Sequence, residues 1–188
     1  MKQSIGAKTI VFPTPVFVVG SYDAKGKPNI ACVAWGGVCN SKPASLAISL
    51  RAATYSHGAI VHSQAFTVNV PSVAQVKQAD YVGIYSGRDE DKFAALGLTA
   101  VRSELVNAPY VKEFPLVVEC KLIHTFELGL HTQFIGEIAD VKADEEVMTN
   151  GRIDVTKLQP LTFDPAGMGY YRVGEFIGQG FSIGKKPA

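Results

Sequence analysis

At 188 residues the chain has length for about one domain, and its 18 glycines and 10 prolines favour a turn-rich β architecture over a helical bundle. Charged residues make up 19% of the chain and the formal net charge is +1, against a typical charged share of about 25%. Neither nucleic acid nor an anionic membrane surface finds the concentrated basic face it needs here, and the shortage of charge implies a subunit interface or a ligand pocket.

The N-terminal TIVFPTPVFVV follows Lys2 and Lys8 as a secretion signal might, but Pro13 and Pro15 interrupt it and no small-residue cleavage site follows. From Val16, VFVVGSY predicts a strand, DAKGK a turn built on Asp23 and Gly26, and PNIACVAW a second strand, making a hairpin. Gly36, Gly37 and the run Cys39 to Pro43 predict a loop before a third strand, ASLAISL, and such a loop is a candidate functional surface. Between Thr54 and Ser63, the spacing of Tyr55, Ala59, Ile60 and His62 predicts a short helix, followed by a strand, AFTVNVP, that stops at Pro71. The uncharged run from Arg51 to Lys77 is punctuated by His57, His62, Gln64, Asn69 and Pro71, so it does not read as a spanning helix.

Ser72 is positioned to cap a second short helix running through Asp80, and SGRDEDKFAALGLT predicts a third, opening near Asp89 and closing at Gly97. The segment PLVVECKLIHTFELGLHTQFIGEIADVKADE reads as two long strands joined at Gly129, because Leu122, His124 and Phe126 alternate with Lys121, Ile123 and Thr125. A long hairpin suits a barrel wall. The Gly- and aromatic-rich tail from Asp164 reads as an irregular arm, and no repeat, low-complexity tract or linker divides the chain. The expected architecture is one domain over residues 1–188, an antiparallel β-barrel with a few short helices and no membrane span.

Several chemistries lose their usual signatures. No G-x-G-x-x-G follows a strand, and GxxxxGK[ST], HExxH and GxSxG are absent. Cys32, Cys39 and Cys120 are too few and too unevenly spaced for a disulfide framework, and Cys32 with Cys39 is not a CxxC, so a reducing cytoplasm fits. His57 and His62 would stand about 140° apart on a helix, which does not favour a shared metal, and no metal site is expected. The run Asp89, Glu90, Asp91 reads as negative charge in a helix's first turn. His131, just past the hairpin turn, suits a backbone carbonyl as well as a ligand.

A phosphate site is suggested by two constellations. Arg51 ends a strand and precedes Thr54, Tyr55 and Ser56 at a helix start, where free backbone N–H groups and hydroxyls meet an anion and a guanidinium adds charge. Thr54 as an ordinary N-cap is the competing reading. Ser86, Gly87, Arg88 and Lys92 repeat the same ingredients, and alone would be a surface helix start.

Taken together, PVFVVGSYDAKGKPNIACVAWGGVCNSKPASLAISLR, AFTVNVPS, SGRDEDKFAALGLT and HTQFIGEIADV resemble the flavin reductase-like family of FMN-binding split-barrel proteins, and its flavoredoxin-type members in particular. The resemblance runs from about Pro15 to Asp140, with YYRVGEFIG agreeing more loosely. It implies a mainly β Greek-key split barrel, a homodimer, and one non-covalent FMN per subunit near the dimer interface. It also implies an oxidoreductase or electron-transfer flavoprotein fed by NAD(P)H or a redox-protein donor. The isoalloxazine would lie against Ala34, Trp35, Asn40 and Ser41, with Arg51, Thr54, Tyr55 and Ser56 on the phosphate, Ser86 and Lys92 adding contacts, and His131, the candidate catalytic residue, near the exposed ring face. Val82 and Gly83 stand where relatives often carry Cys-Gly, and Trp35 is bulkier than expected beside a flavin. It either stacks on the ring, shields it, or is a core tryptophan. The alternative function is a non-catalytic split-barrel module that binds flavin, haem or another anionic ligand.

Overall fold

The computed structural model describes residues 1–186; residues 187 and 188, the end of the expected single unit, lie outside the described residues. In chain order the elements are β1 (Thr14–Pro15), β2 (Phe17–Tyr22), β3 (Pro28–Val33), β4 (Gly36–Ser41), β5 (Ala44–Arg51), α1 (Tyr55–Ser63), β6 (Ala65–Val70), α2 (Val76–Ile84) and α3 (Lys92–Leu96). There follow β7 (Ala100–Arg102), β8 (Pro109–Val111), β9 (Leu116–Leu128), β10 (His131–Ala143), β11 (Met148–Thr149), β12 (Arg152–Ile153), α4 (Val155–Leu158), β13 (Leu161–Asp164) and β14 (Gly169–Arg172).

Seven strands form an antiparallel sheet in the order β3-β2-β6-β9-β10-β5-β4. One apolar cluster takes Val19 from β2, Val33 from β3, Ile48 from β5, Phe66 from β6, Cys120 from β9 and Phe134 from β10. A flat sheet could not bring strands so far apart in this order onto one core, so the sheet curls around it, and Ile60 of α1 joins the same cluster. A second core, outside the sheet, packs Ala79 and Val82 of α2 and Phe93 of α3 against Val18 and Ile30. The two helices are thereby fixed against the β2–β3 hairpin, with α3 at its β3 edge.

The expected mainly β fold with short helices is present, and the long hairpin is as predicted: β9 and β10 pair from Leu116↔Ala143 to Leu128↔His131 across a Gly129–Leu130 turn. Four details differ. The expected loop over residues 36–43 is strand β4, whose Gly36↔Ile48 to Ser41↔Ala44 register leaves only Lys42 and Pro43 as the turn. Ser72 caps a 3-10 turn first, and α2 then runs to Ile84 rather than stopping at Asp80. The third helix opens at Lys92 with Asp91 as its N-cap, so Asp89 and Glu90 precede it instead of occupying its first turn. The tail is not wholly irregular, since β14 pairs with β13, and β13 with β1 near the N-terminus.

No helix among the described residues is long and apolar enough to cross a membrane. The tightest point of the core is Gly136, where an added Cβ would lie 2.7 Å from the Cys120 Cβ and 2.7 Å from the Phe66 ring. Overpacking of this kind costs about 1–3 kcal/mol, so Gly136→Ala is expected to lower the urea midpoint by that equivalent with an unchanged m-value. A midpoint equal to that of the parent protein would show that the walls part freely there.

Candidate functional site

The end of β5 turns directly into α1, and local hydrogen bonds fix the turn. Thr54 donates its backbone N–H and its hydroxyl to the Arg51 carbonyl, each at 2.9 Å, and its Oγ1 accepts from the His57 N–H at 3.4 Å. Thr54 is therefore an N-cap, and as a cap it leaves the Tyr55 and Ser56 amides at the open end of a nine-residue helix. The Tyr55 hydroxyl donates to Asp23 Oδ2 at 2.5 Å, which ties α1 to the β2–β3 turn and holds the Asp23 carboxyl below its ordinary value. Ser56 is buried and accepts from Asn29 Nδ2 at 2.8 Å.

The loop after α2 reaches the same place because Gly87 has no side chain. A Cβ there would lie 2.1 Å from Asn29 Oδ1 and 2.8 Å from the Tyr55 ring. The two constellations legible in the sequence thus meet, except for Arg51, in one groove of 310 Å³, lined by Thr54, Tyr55, Ser56, Ser86, Gly87, Arg88 and Lys92; Arg51 stands outside the lining. Lys92 is 4% exposed, and its Nζ donates to the Ile30 and Val82 carbonyls at 2.8 and 2.9 Å. An ammonium has three donors, so one is left for the groove. Burial pulls its pKa down to about 8.

Cys32, Gly83 and Ile84 line this groove and also a 430 Å³ cleft bounded by Ala34, Asp80, Phe163, Met168 and Tyr170. The Cys32 thiol is pushed up to about 11, by burial first and by Asp80 second. Tyr170 donates to Asp80 Oδ1 at 2.9 Å, fastening the β13–β14 hairpin to α2. Burial, then this bond, raises the Tyr170 hydroxyl above its ordinary value. Ala34 in turn lines a third, outer cleft of 520 Å³ with Trp35, Ser49, Leu128, His131 and the N-terminal residues Val11 and Pro13. Trp35 is 37% exposed, so it is not a core tryptophan.

Arg51 and His131 are direct cross-strand partners, with Arg51 exposed at the end of β5. His57 lies on the buried side of the same strands, its Nε2 2.8 Å from Thr132 Oγ1 and its ring edge-on to Phe134. Asn40 and Ser41 are separated from Ala34 and Trp35. They pair with Ser45 and Ala44 at the hairpin end of β4, where Asn40 Nδ2 donates to the Pro43 carbonyl at 2.9 Å. At roughly 3.3 Å per residue, the strand carries Ser41 about 16 Å from Gly36. The extended strand thus keeps the two ends of this segment apart. Asn29 was hidden from sequence reasoning because a polar residue in a strand signals nothing by itself. Among the described residues no cluster of three or more His, Cys, Asp or Glu side chains is placed to hold a metal ion.

Residues 9–171 match the family model described as flavin reductase like domain. The structure is similar to the flavoredoxin of Desulfovibrio vulgaris (Miyazaki F), with 54% identity, a TM-score of 0.94, and coverage of 98% of this chain and 100% of that one. It is also similar to a flavoredoxin from Methanosarcina acetivorans, with 30% identity, a TM-score of 0.93, and 98% of each chain covered. A ferric-chelate reductase (NAD(P)H) from Archaeoglobus fulgidus is 28% identical over 112 residues, covering 58% of this chain and 65% of that protein.

Lys92 carries a pH signature. Its pKa falls from 10.5 to about 8 on folding, so between those values the unfolded chain holds a proton that the folded chain has lost. Stability from this residue then rises with pH across that window. Burial raises the Cys32 thiol to about 11 and the Cys120 thiol to about 12, which works in the opposite direction above about pH 9, so urea titrations from pH 7.5 to 9 are expected to show this rise in the parent protein and its loss in Lys92→Met; an identical pH slope in both would contradict the burial argument.

Proposed function

The chain belongs to the flavin reductase-like family, and from that premise we propose that it is an FMN-binding oxidoreductase of flavoredoxin type that carries electrons between redox partners. The observation that carries this reading is the graded run of three adjoining clefts. Hydroxyls, helix-end amides and cations gather at one end, and apolar walls with an indole and an imidazole at the other. FMN has the same polarity along its length, a phosphate at one end and a flat ring system at the other.

In this assignment the Tyr55 and Ser56 amides, the Ser86 hydroxyl and the free donor of Lys92 hold the phosphate, with Arg51, three residues before Thr54, adding charge at the mouth. Thr54 acts through the helix end it caps. Gly87 lets the turn that carries Ser86 close onto Asn29 and Tyr55, where a Cβ would collide. The middle cleft beside Gly83 and Ala34 would take the ring, with Trp35 and His131 lining the cleft beyond it. The bound flavin supplies reversible one- and two-electron chemistry, and the protein sets access and orientation. Trp35 shields the outer edge of the ring, which favours electron exchange over open access for a dinucleotide. Asn40 and Ser41 are left out of the assignment because of their distance along β4.

We further propose a homodimer. Phe126 and Leu130 at the β9–β10 tip, and Phe176, Ile177 and Phe181 in the C-terminal arm, are all exposed in the single chain, and a second copy covering them accounts for the shortage of charge. The three free cysteines suit a reducing compartment.

A hydrogen bond to a charged group contributes about 1.5–3 kcal/mol, so Arg51→Ala is expected to weaken FMN binding by about tenfold or more and to purify nearly colourless beside a yellow parent. Equal flavin content in the two proteins would remove Arg51 from the phosphate site. A parent protein that takes up no added FMN would leave the non-catalytic module as the better reading.

A further inference from the structure

We propose that the outer cleft binds an uncharged planar ring of the 1,4-quinone class, which accepts electrons from the flavin; this rests on the FMN reading above. The walls are Val11, Pro13 and Leu128, with the partly exposed Trp35 indole offering a face for stacking. Among the described residues of the lining His131 is the one titratable side chain, and its ring N–H, with the Ser49 hydroxyl, can donate to a quinone carbonyl. Among the described residues no Lys, Arg, Asp or Glu lines this cleft. Arg51, the cross-strand partner of His131, stands outside this lining, so the diphosphate of a nicotinamide dinucleotide would find no cation within the cleft itself. A neutral ring needs none.

The wall on the N-terminal side is built rather than loose. Thr14 is 5% exposed, its Oγ1 donates to the Val11 carbonyl at 2.6 Å, and β1 pairs with β13. A fixed wall lowers the ordering cost of binding. The middle cleft and the outer one share Ala34, so a ring in each would be a neighbour of the other. In the exchange, the reduced flavin loses two electrons and two protons, and the quinone gains both to become the hydroquinone.

Trp35 is the only tryptophan of the chain, so its fluorescence reports this cleft directly. The probe is duroquinone, whose four ring methyls block addition to the exposed Cys39 thiol. Titrations use the FMN-saturated parent protein and two variants of the same exposed wall residue, Val11→Arg and Val11→Asp, with NADH as the charged comparison. Saturable quenching by duroquinone is expected, weakened at least fivefold in both variants, with FMN content unchanged. The inference is overturned if duroquinone gives no saturable quenching, or if quenching is the same in all three proteins. It is also overturned if NADH displaces duroquinone and binds more tightly to Val11→Arg than to Val11→Asp, because an anionic ligand is then the better fit. If the protein retains no FMN, the flavin reading fails by its absorption spectrum, and the same quenching titration of the apoprotein still decides whether the cleft takes the ring.

Discussion

Asn29 Oδ1 would lie 2.1 Å from any Cβ placed on Gly87, so the loop between α2 and α3 reaches the start of α1 only because that residue is glycine. Asn29 spends its Nδ2 on Ser56, which holds the first turn of α1 on β3. One bare backbone position and one buried amide therefore bring together Thr54–Ser56 and Ser86–Lys92, two segments about thirty residues apart in sequence. Without that approach there would be two surface helix starts and no groove.

The groove is costly to keep. Lys92 is buried with its ammonium aimed at two backbone carbonyls, and desolvation works against its charge strongly enough to pull its pKa down to about 8. The Cys32 thiol beneath it is held neutral by burial. A core optimised for stability alone would fill this position with an apolar side chain. A cation held at the floor of a hydroxyl-lined groove makes sense where an anion arrives to complete its hydrogen bonds, and this ties the energetics of α3 to the proposed ligand.

The parts of the fold legible in the sequence are those with a long period or strong punctuation. The β9–β10 hairpin declares itself by the alternation of Leu122, His124 and Phe126 with Lys121, Ile123 and Thr125 ahead of Gly129, and α1 by its spacing after Thr54. Strand β4 was hidden because Gly36, Gly37 and Pro43 are turn residues elsewhere, whereas here Gly36 lets β4 lie close to Phe17 and Ile48. Strands β13 and β14 are four residues each, too short for alternation to register. At the site, the phosphate constellations were legible because hydroxyls and cations cluster locally. Their union was not, since it depends on Asn29 and Gly87 touching across the fold. The separation of Asn40 and Ser41 from Trp35 was not legible either, because it depends on the chain between them being an extended strand.

The claim on which the rest of the functional account stands is that the groove between α1 and α3 recognises a phosphate. Comparing the affinities of the apoprotein for FMN and for riboflavin, which differ only in that phosphate, measures it directly. At about 1.5–3 kcal/mol per charge-assisted bond, with several such donors in the groove, FMN is predicted to bind at least a hundredfold more tightly than riboflavin. Equal affinities would mean that the flavin, if it binds, is held by its ring alone and that the groove serves something else.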